Sequence, residues 1–260
     1  MRSTAPTAAL ITTAIALATT GASAYVFYLT EDGDPLRWKE DETIVRLSTV
    51  PAEELSQAEV EAAIDEALLA WSTTDCVPAV RREGTTDATE GSSPPTVRGP
   101  ADNIVVFIES ASHWSARRHG RLEIAVTLIA NNSATGEIVD ADIEGHDAGF
   151  VFSVAERPGV GQVDFRSTLV HEVGHLFGLD HSETRDATMF ASYDAVDPTA
   201  KRSLHLDDID GVCALYAIPF PPPDDDCCAG GGASGALGLA AAALVLGWRR
   251  RRETTRAGPA

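Results

Sequence analysis

Residues 171–181 read His-Glu-Val-Gly-His-Leu-Phe-Gly-Leu-Asp-His, the pattern H-E-x-x-H-x-x-G-x-x-H without a substitution. Histidines at i and i+4 leave one face of a helix a turn apart and can reach a common ion. A third ligand on the same straight helix would point elsewhere. Gly178 tolerates φ > 0, so the chain can double back and bring His181 to the same point. His171, His175 and His181 are thus three neutral imidazoles that leave a fourth position open for water, the arrangement of a catalytic zinc. Glu172 follows the first ligand and can take a proton from that water and pass it to a leaving amine. Three His, one Glu and one Gly at these offsets should arise by chance on the order of once in 10⁴ to 10⁵ chains of this length. The bland alternative, a helix of merely hydrogen-bonded histidines, leaves their desolvation uncompensated.

These residues need a rigid frame. Phe165–Phe177 reads as the helix that carries them, stopped by Gly178. Ser56–Trp71 is a second helix: Val60, Ile64, Leu68 and Trp71 share a face, and Ser56-Gln57-Ala58-Glu59 is a capping box. Leu206–Tyr216 is a last helix with Asp207 and Asp208 near its start. Thr43–Leu47, Ile104–Ile108, Ile124–Ile129 and Ile138–Ile143 read as strands, and Glu83–Asn103 as an exposed loop. Strands and one helix followed by helices predict an α+β domain over residues 25–218.

The chain resembles the metzincin zinc proteases and, within them, the matrixins. Thr188-Met189-Phe190 sits where the family's Met-turn belongs, with Met189 as the apolar floor under the metal. Tyr193 matches the family tyrosine that lines the pocket for the residue after the cut. Asp197-Pro198, Leu206 to Val212, Leu215-Tyr216, Arg37-Trp38 and Ala70-Trp71 extend the likeness over most of Leu36–Tyr216. The resemblance implies a twisted, mostly parallel sheet with an antiparallel edge strand, an active-site helix and a C-terminal helix. It implies an endopeptidase whose extended substrate adds to an edge strand, here Leu122–Ile129. Asp140, Asp142 and Glu144 lie in a segment similar to one that binds calcium in relatives; a solvated acidic loop is the alternative. There are departures. Ala191 stands where matrixins usually have proline, so the pocket wall is expected to differ. No second, histidine-rich zinc site is visible, and His113, His119, His146 and His205 read as ordinary surface histidines. With no Arg or Lys between Met189 and Ala200, the pocket should prefer apolar side chains and reject Asp and Glu.

The two ends read as addresses. Residues 1–24 carry Arg2, an apolar run Ala8–Ala18 and a closing Ala22-Ser23-Ala24, a secretory signal peptide. Residues 219–226 (PFPPPDDD) form a stiff spacer. In 227–260, Cys227-Cys228 precede an uncharged run, 229–248, and then Arg249–Arg252. As a helix that run would be long enough to cross a membrane. The order is similar to the myxobacterial MYXO-CTERM sorting tail and implies export, then surface attachment or release after processing; a plain single-pass anchor is the alternative. Two body cysteines in an exported chain, Cys76 and Cys213, suggest a disulfide, with free buried thiols as the other reading. The formal charge of −19 disfavours nucleic acid as a partner. Protein or peptide substrates are expected, with membrane contact, lasting or transient, only through the tail. The competing function is a surface adhesion or binding protein that retains the metal fold. Glu172 weighs against it.

Overall fold

The computed structural model describes residues 24–91, 103–221 and 237–245. Residues 1–23 of the segment expected to be a signal peptide, Cys227, Cys228 and Arg249–Arg252 lie outside these residues. In chain order the elements are β1 (Val26–Phe27), β2 (Glu42–Ser48), α1 (Gln57–Ser72), β3 (Ala79–Thr86), β4 (Asn103–Phe107), α2 (Ala111–Ala116), β5 (Glu123–Asn132), β6 (Ile138–Gly145), β7 (Val151–Ser153), β8 (Gln162–Asp164), α3 (Phe165–Leu176), β9 (Leu179–Asp180), α4 (Leu206–Tyr216) and β10 (Leu237–Val245).

The main sheet has the order β10-β5-β6-β4-β2-β3. Its β3, β2, β4 and β6 pair in parallel, while β5 runs antiparallel to β6 and β10 antiparallel to β5. This is the α+β architecture with a mostly parallel sheet. Small pairs β1–β9 and β7–β8 brace the region of α3.

Helix α1 begins as its capping box dictates: the Ser56 side chain accepts from the Glu59 N–H, and the Ser56 N–H donates to Glu59 Oε2 at 2.8 Å. Its Val60, Ile64, Leu68 and Trp71 are buried against α3 and the sheet, in one cluster with Val45, Leu47, Val105, Ile129, Ile143, Leu169 and Val173. Burying a side chain of this size stabilises by about 1.5–3 kcal/mol. Trp71 also fixes the helix pair, donating from Nε1 to the Val170 carbonyl at 2.8 Å. On the opposite face of the sheet, Ile104, Val106, Val126 and Leu128 pack around Trp114 of α2. Strand β5 is therefore buried on both faces, with Thr127 turned toward α3.

Two expectations change. The loop expected at Glu83–Asn103 is shorter: β3 runs to Thr86, and Asn103 is a buried part of β4. Asn103 is polar but bridges strands, donating to the Ile44 carbonyl and accepting from the Ala141 N–H, both at 2.8 Å. The uncharged run 229–248, expected as a spanning helix, has its described part, Leu237–Val245, as β10 on the edge of the sheet. Among the described residues no helix is long and apolar enough to cross a membrane. The physical reason is tertiary. The outer edge of β5 presents a row of N–H and C=O groups that a strand satisfies and a helix does not.

Cys76, after α1, and Cys213, in α4, are disulfide-bonded with Cα atoms 4.9 Å apart, within the range such a bridge needs.

Candidate active site

Helix α3 starts at Asp164, whose side chain accepts from the Ser167 N–H at 2.7 Å and pairs with Arg202. One turn apart on its buried face stand His171 and His175. The helix ends at Gly178, where φ is +98° and a Cβ would lie 2.0 Å from the Leu36 carbonyl oxygen, so only glycine fits. The chain reverses through β9 and delivers His181. The Nε2 atoms of His171 and His175 are 3.1 Å apart, and those of His175 and His181 3.2 Å. The ligand atoms of all three lie within 4.8 Å of one another, and they are the only such group of three among the described residues.

The tautomers follow from the neighbours. His171 Nδ1 lies 2.6 Å from the Thr188 carbonyl and His175 Nδ1 2.7 Å from the Leu179 carbonyl. A carbonyl can only accept, so each Nδ1 carries the proton and each Nε2 lone pair points at the common centre. Buried lone pairs facing each other at 3.1 Å repel unless a cation lies between them. Two tetrahedral zinc–nitrogen bonds of about 2.0–2.1 Å would put their nitrogens about 3.3 Å apart, so the donor set fits zinc. Burial holds the His171 and His175 imidazoles well below the usual range, reinforced by the charge of Lys201, and burial also lowers His181. All three are neutral, as ligands must be.

Beneath them, Met189 is buried, and its Sδ would sit 2.2 Å from a Cβ placed on Gly174. Gly174 lets the Met189 turn press against the helix. That turn is clamped by Asp208 of α4, whose two carboxylate oxygens accept from the N–H groups of Thr188 and Met189 at 2.8 and 2.9 Å.

Glu172 is fully buried. Its Oε2 accepts from the Thr127 hydroxyl at 2.6 Å, while Oε1 has no partner among the described residues. One oxygen is held and the other is left to exchange protons. Burial pushes this carboxyl up to about 8, against the pull of the Thr127 hydroxyl and the Lys201 charge. A dication on the histidines would pull it lower, toward the range of a general base at neutral pH.

Tyr193 donates no bond to this centre; its hydroxyl accepts from the Asp164 N–H at 2.9 Å, tying the chain after Met189 to the start of α3. It lines a pocket of about 490 Å³ between residues 157–163 and 193–198. Ala191 is half-buried and lies outside that lining. Arg157 does line it, from a different segment. Lys201, just past residues 189–200, is buried and donates to the Phe190 carbonyl. The pocket lining therefore includes one basic residue, Arg157, from outside residues 189–200.

Among the described residues the acidic trio is not part of a group of three converging metal-ligand atoms. Glu144 is buried and pairs with Arg117 at 2.6 Å and with His119 Nε2 at 2.7 Å, and it accepts from the Gly91 N–H at 2.6 Å. Burial alone would raise Glu144, but these three partners outweigh it and hold the carboxylate below its ordinary range. Asp142 is buried and accepts from the Ile104 N–H at 2.9 Å; Asp140 sits beside it on β6. A guanidinium and an imidazole thus stand on Glu144, for which a calcium ligand and a solvated acidic loop were the two expectations. His119 and His146 are not surface histidines. Both pack on Trp114, with ring centroids 4.4 and 4.1 Å away, and His146 Nδ1 bonds the Glu123 carbonyl. His205 caps α4, and His113 is an exposed partner of Glu90.

Thr127, Lys201, Gly174 and Tyr28, whose hydroxyl lies 3.3 Å from His175 Nδ1, escape a reading of the sequence. Two carried a signal: a lone threonine in an apolar strand needs a buried partner, and a glycine inside a helix usually marks close packing.

Residues 97–217 match the family described as Matrixin. The likeness is to the matrixins. "Metalloendoproteinase 4-MMP" of Arabidopsis thaliana is 46% identical over 55 residues, covering 21% of this chain and 15% of that protein. "Metalloendoproteinase 1-MMP" of the same plant is 33% identical over 117 residues, covering 45% and 26%. "Macrophage metalloelastase" of Oryctolagus cuniculus is 28% identical over 194 residues, covering 74% and 36%. The chain thus spans about a third or less of the length of these matrixin-like relatives.

Proposed function

We propose that this protein is a zinc-dependent endopeptidase that cleaves extracellular proteins or peptides. The observation that carries the reading is Glu172 Oε1, without a partner among the described residues, on the helix of His171 and His175, whose imidazole nitrogens converge with that of His181 on one point. The matrixin match and the metalloendoproteinase names of the relatives support a metalloendopeptidase.

Zinc held by His171, His175 and His181 would supply Lewis acidity, acidifying a water and polarising the scissile carbonyl. Glu172 Oε1 takes the proton of the attacking water and later gives it to the leaving amine. Thr127 holds Oε2 so that Oε1 keeps its aim. The Thr188 and Leu179 carbonyls keep the ligand rings oriented. Asp208 and Met189 set the floor. Tyr193 fixes the segment that borders the pocket for the residue after the cut, and apolar side chains are the expected occupants. Arg157 makes acidic ones tolerable as well.

Export rests on the sequence of residues 1–24, and surface attachment or release on that of 227–260. The test is to purify the exported protein, measure its metal and profile cleavage of a peptide library. One equivalent of zinc is expected. Glu172→Ala should retain it and lose nearly all turnover, because the proton carrier and not a ligand is removed. No zinc, or full activity in that variant, would sink the proposal.

A further inference from the structure

We propose that Leu237–Val245 occupies the strand position of a peptide substrate and restrains the site in cis; the inference rests on the endopeptidase reading. Strand β5 has one neighbour in β6, and its other edge is the place for an extended peptide to add. In this chain that edge is filled. Strand β10 pairs with it antiparallel, with Leu237 opposite Asn132, Ala240 opposite Ile129 and Ala243 opposite Val126, before a bulge shifts Val245 to Glu123. The residue opposite Thr127 is Ala242. Thr127 is the residue that bonds Glu172, so β10 crosses the edge at the level of the catalytic carboxylate. The backbone of β10 also approaches α3.

The segment suits the role. Leu237–Val245 contains no charge and no proline, so every residue has an N–H to offer and the acidic body does not repel it. Covalent attachment makes its docking intramolecular, with an effective concentration of the order of mM, which a dilute substrate must displace. Activity then depends on removing the segment from the edge, and proteolysis between α4 and β10 is the simplest way to do so. The same residues cannot lie on β5 and in a lipid bilayer at once, so any membrane insertion of the tail would also free the site.

The test uses the full-length chain and the double variant Ala241→Pro/Ala242→Pro. Adjacent prolines are chosen because strand N–H groups alternate in direction, so one of the two must face β5. Hydrogen–deuterium exchange is read on the β5 amides, and kcat/KM on a fluorogenic peptide. Expected are a loss of protection in β5, confined to that edge, and a rise in kcat/KM of at least tenfold, with zinc content and Tm unchanged. A synthetic peptide spanning 237–245 with a solubilising lysine tag should restore both. Unchanged β5 protection would show that the edge is not covered in solution and overturn the proposal. So would lost protection without a rise in kcat/KM. Protection that grows with protein concentration would mean that a second copy supplies the strand, again against cis restraint. If neither form cleaves any peptide, the endopeptidase reading fails separately, because exchange still reports whether β10 docks.

Discussion

Replacing Thr127 by valine removes one hydroxyl from the site and little else. The side chain is fully buried in β5, its hydroxyl donates to Glu172 Oε2 at 2.6 Å, and it lies 3.2 Å from the Glu172 backbone carbonyl. Valine is also β-branched and of similar size, so the strand and its packing should persist. A hydrogen bond to a charged acceptor contributes about 1.5–3 kcal/mol, which corresponds to a loss of roughly 10- to 150-fold if it is needed in the transition state. The loss should depend on pH. The Thr127 bond lowers the Glu172 carboxyl, which burial pushes up to about 8, so removing it raises the proton affinity of the group. The active form is the deprotonated one. The acid limb of kcat/KM should therefore move to higher pH, and the deficit should be larger at pH 6 than at pH 9. The assay is the pH profile of kcat/KM for wild type and Thr127→Val on one cleavable peptide, with zinc content and Tm as controls. A loss below about twofold with an unmoved acid limb would refute the idea that Thr127 positions and tunes the base.

Other perturbations test the frame. Cys76 and Cys213 are 137 residues apart, so Cys213→Ser should lower stability by about 5 kcal/mol in a denaturant titration, if loop entropy dominates. Glu144→Gln leaves Arg117 and His119 without their buried carboxylate and should cost about 3–5 kcal/mol; in wild type, added calcium should not raise Tm over an EGTA control. Burial pushes Asp147 up to about 6, with Glu54, Glu109 and Glu53 adding to it against the Glu53 N–H bond. Its folded form holds the proton more tightly than the unfolded chain, so stability is full below about pH 4 and drains as pH rises through about 6. Asp147→Asn should thus stabilise above pH 6 by about 1 kcal/mol, after screening of this half-exposed group, and have no effect at pH 4.

The local pattern of the sequence determined the parts whose physics is local. H-E-x-x-H places two ligands on one helical face, whatever surrounds it. Gly178 marks the reversal, and the Ser56–Glu59 box marks where α1 begins. The α+β order was legible for the same reason, since period and turn residues act over a few positions. What only the tertiary structure decided are partnerships between distant segments. Thr127 and Glu172 are 45 residues apart and meet because β5 packs on α3. Glu144 could be read as a calcium ligand, from the likeness of its segment to one in relatives, or as part of a solvated acidic loop; across space its neighbours are Arg117 and His119, and charge is neutralised by whatever lies within a few ångströms. His119 and His146 looked exposed until the Trp114 ring was placed against both. The sharpest case is residues 237–245. An uncharged apolar run satisfies its backbone as a helix in lipid or as a strand on an open sheet edge, and composition cannot choose between the two. The open edge of β5 exists only once the sheet has formed, so the choice belongs to the fold.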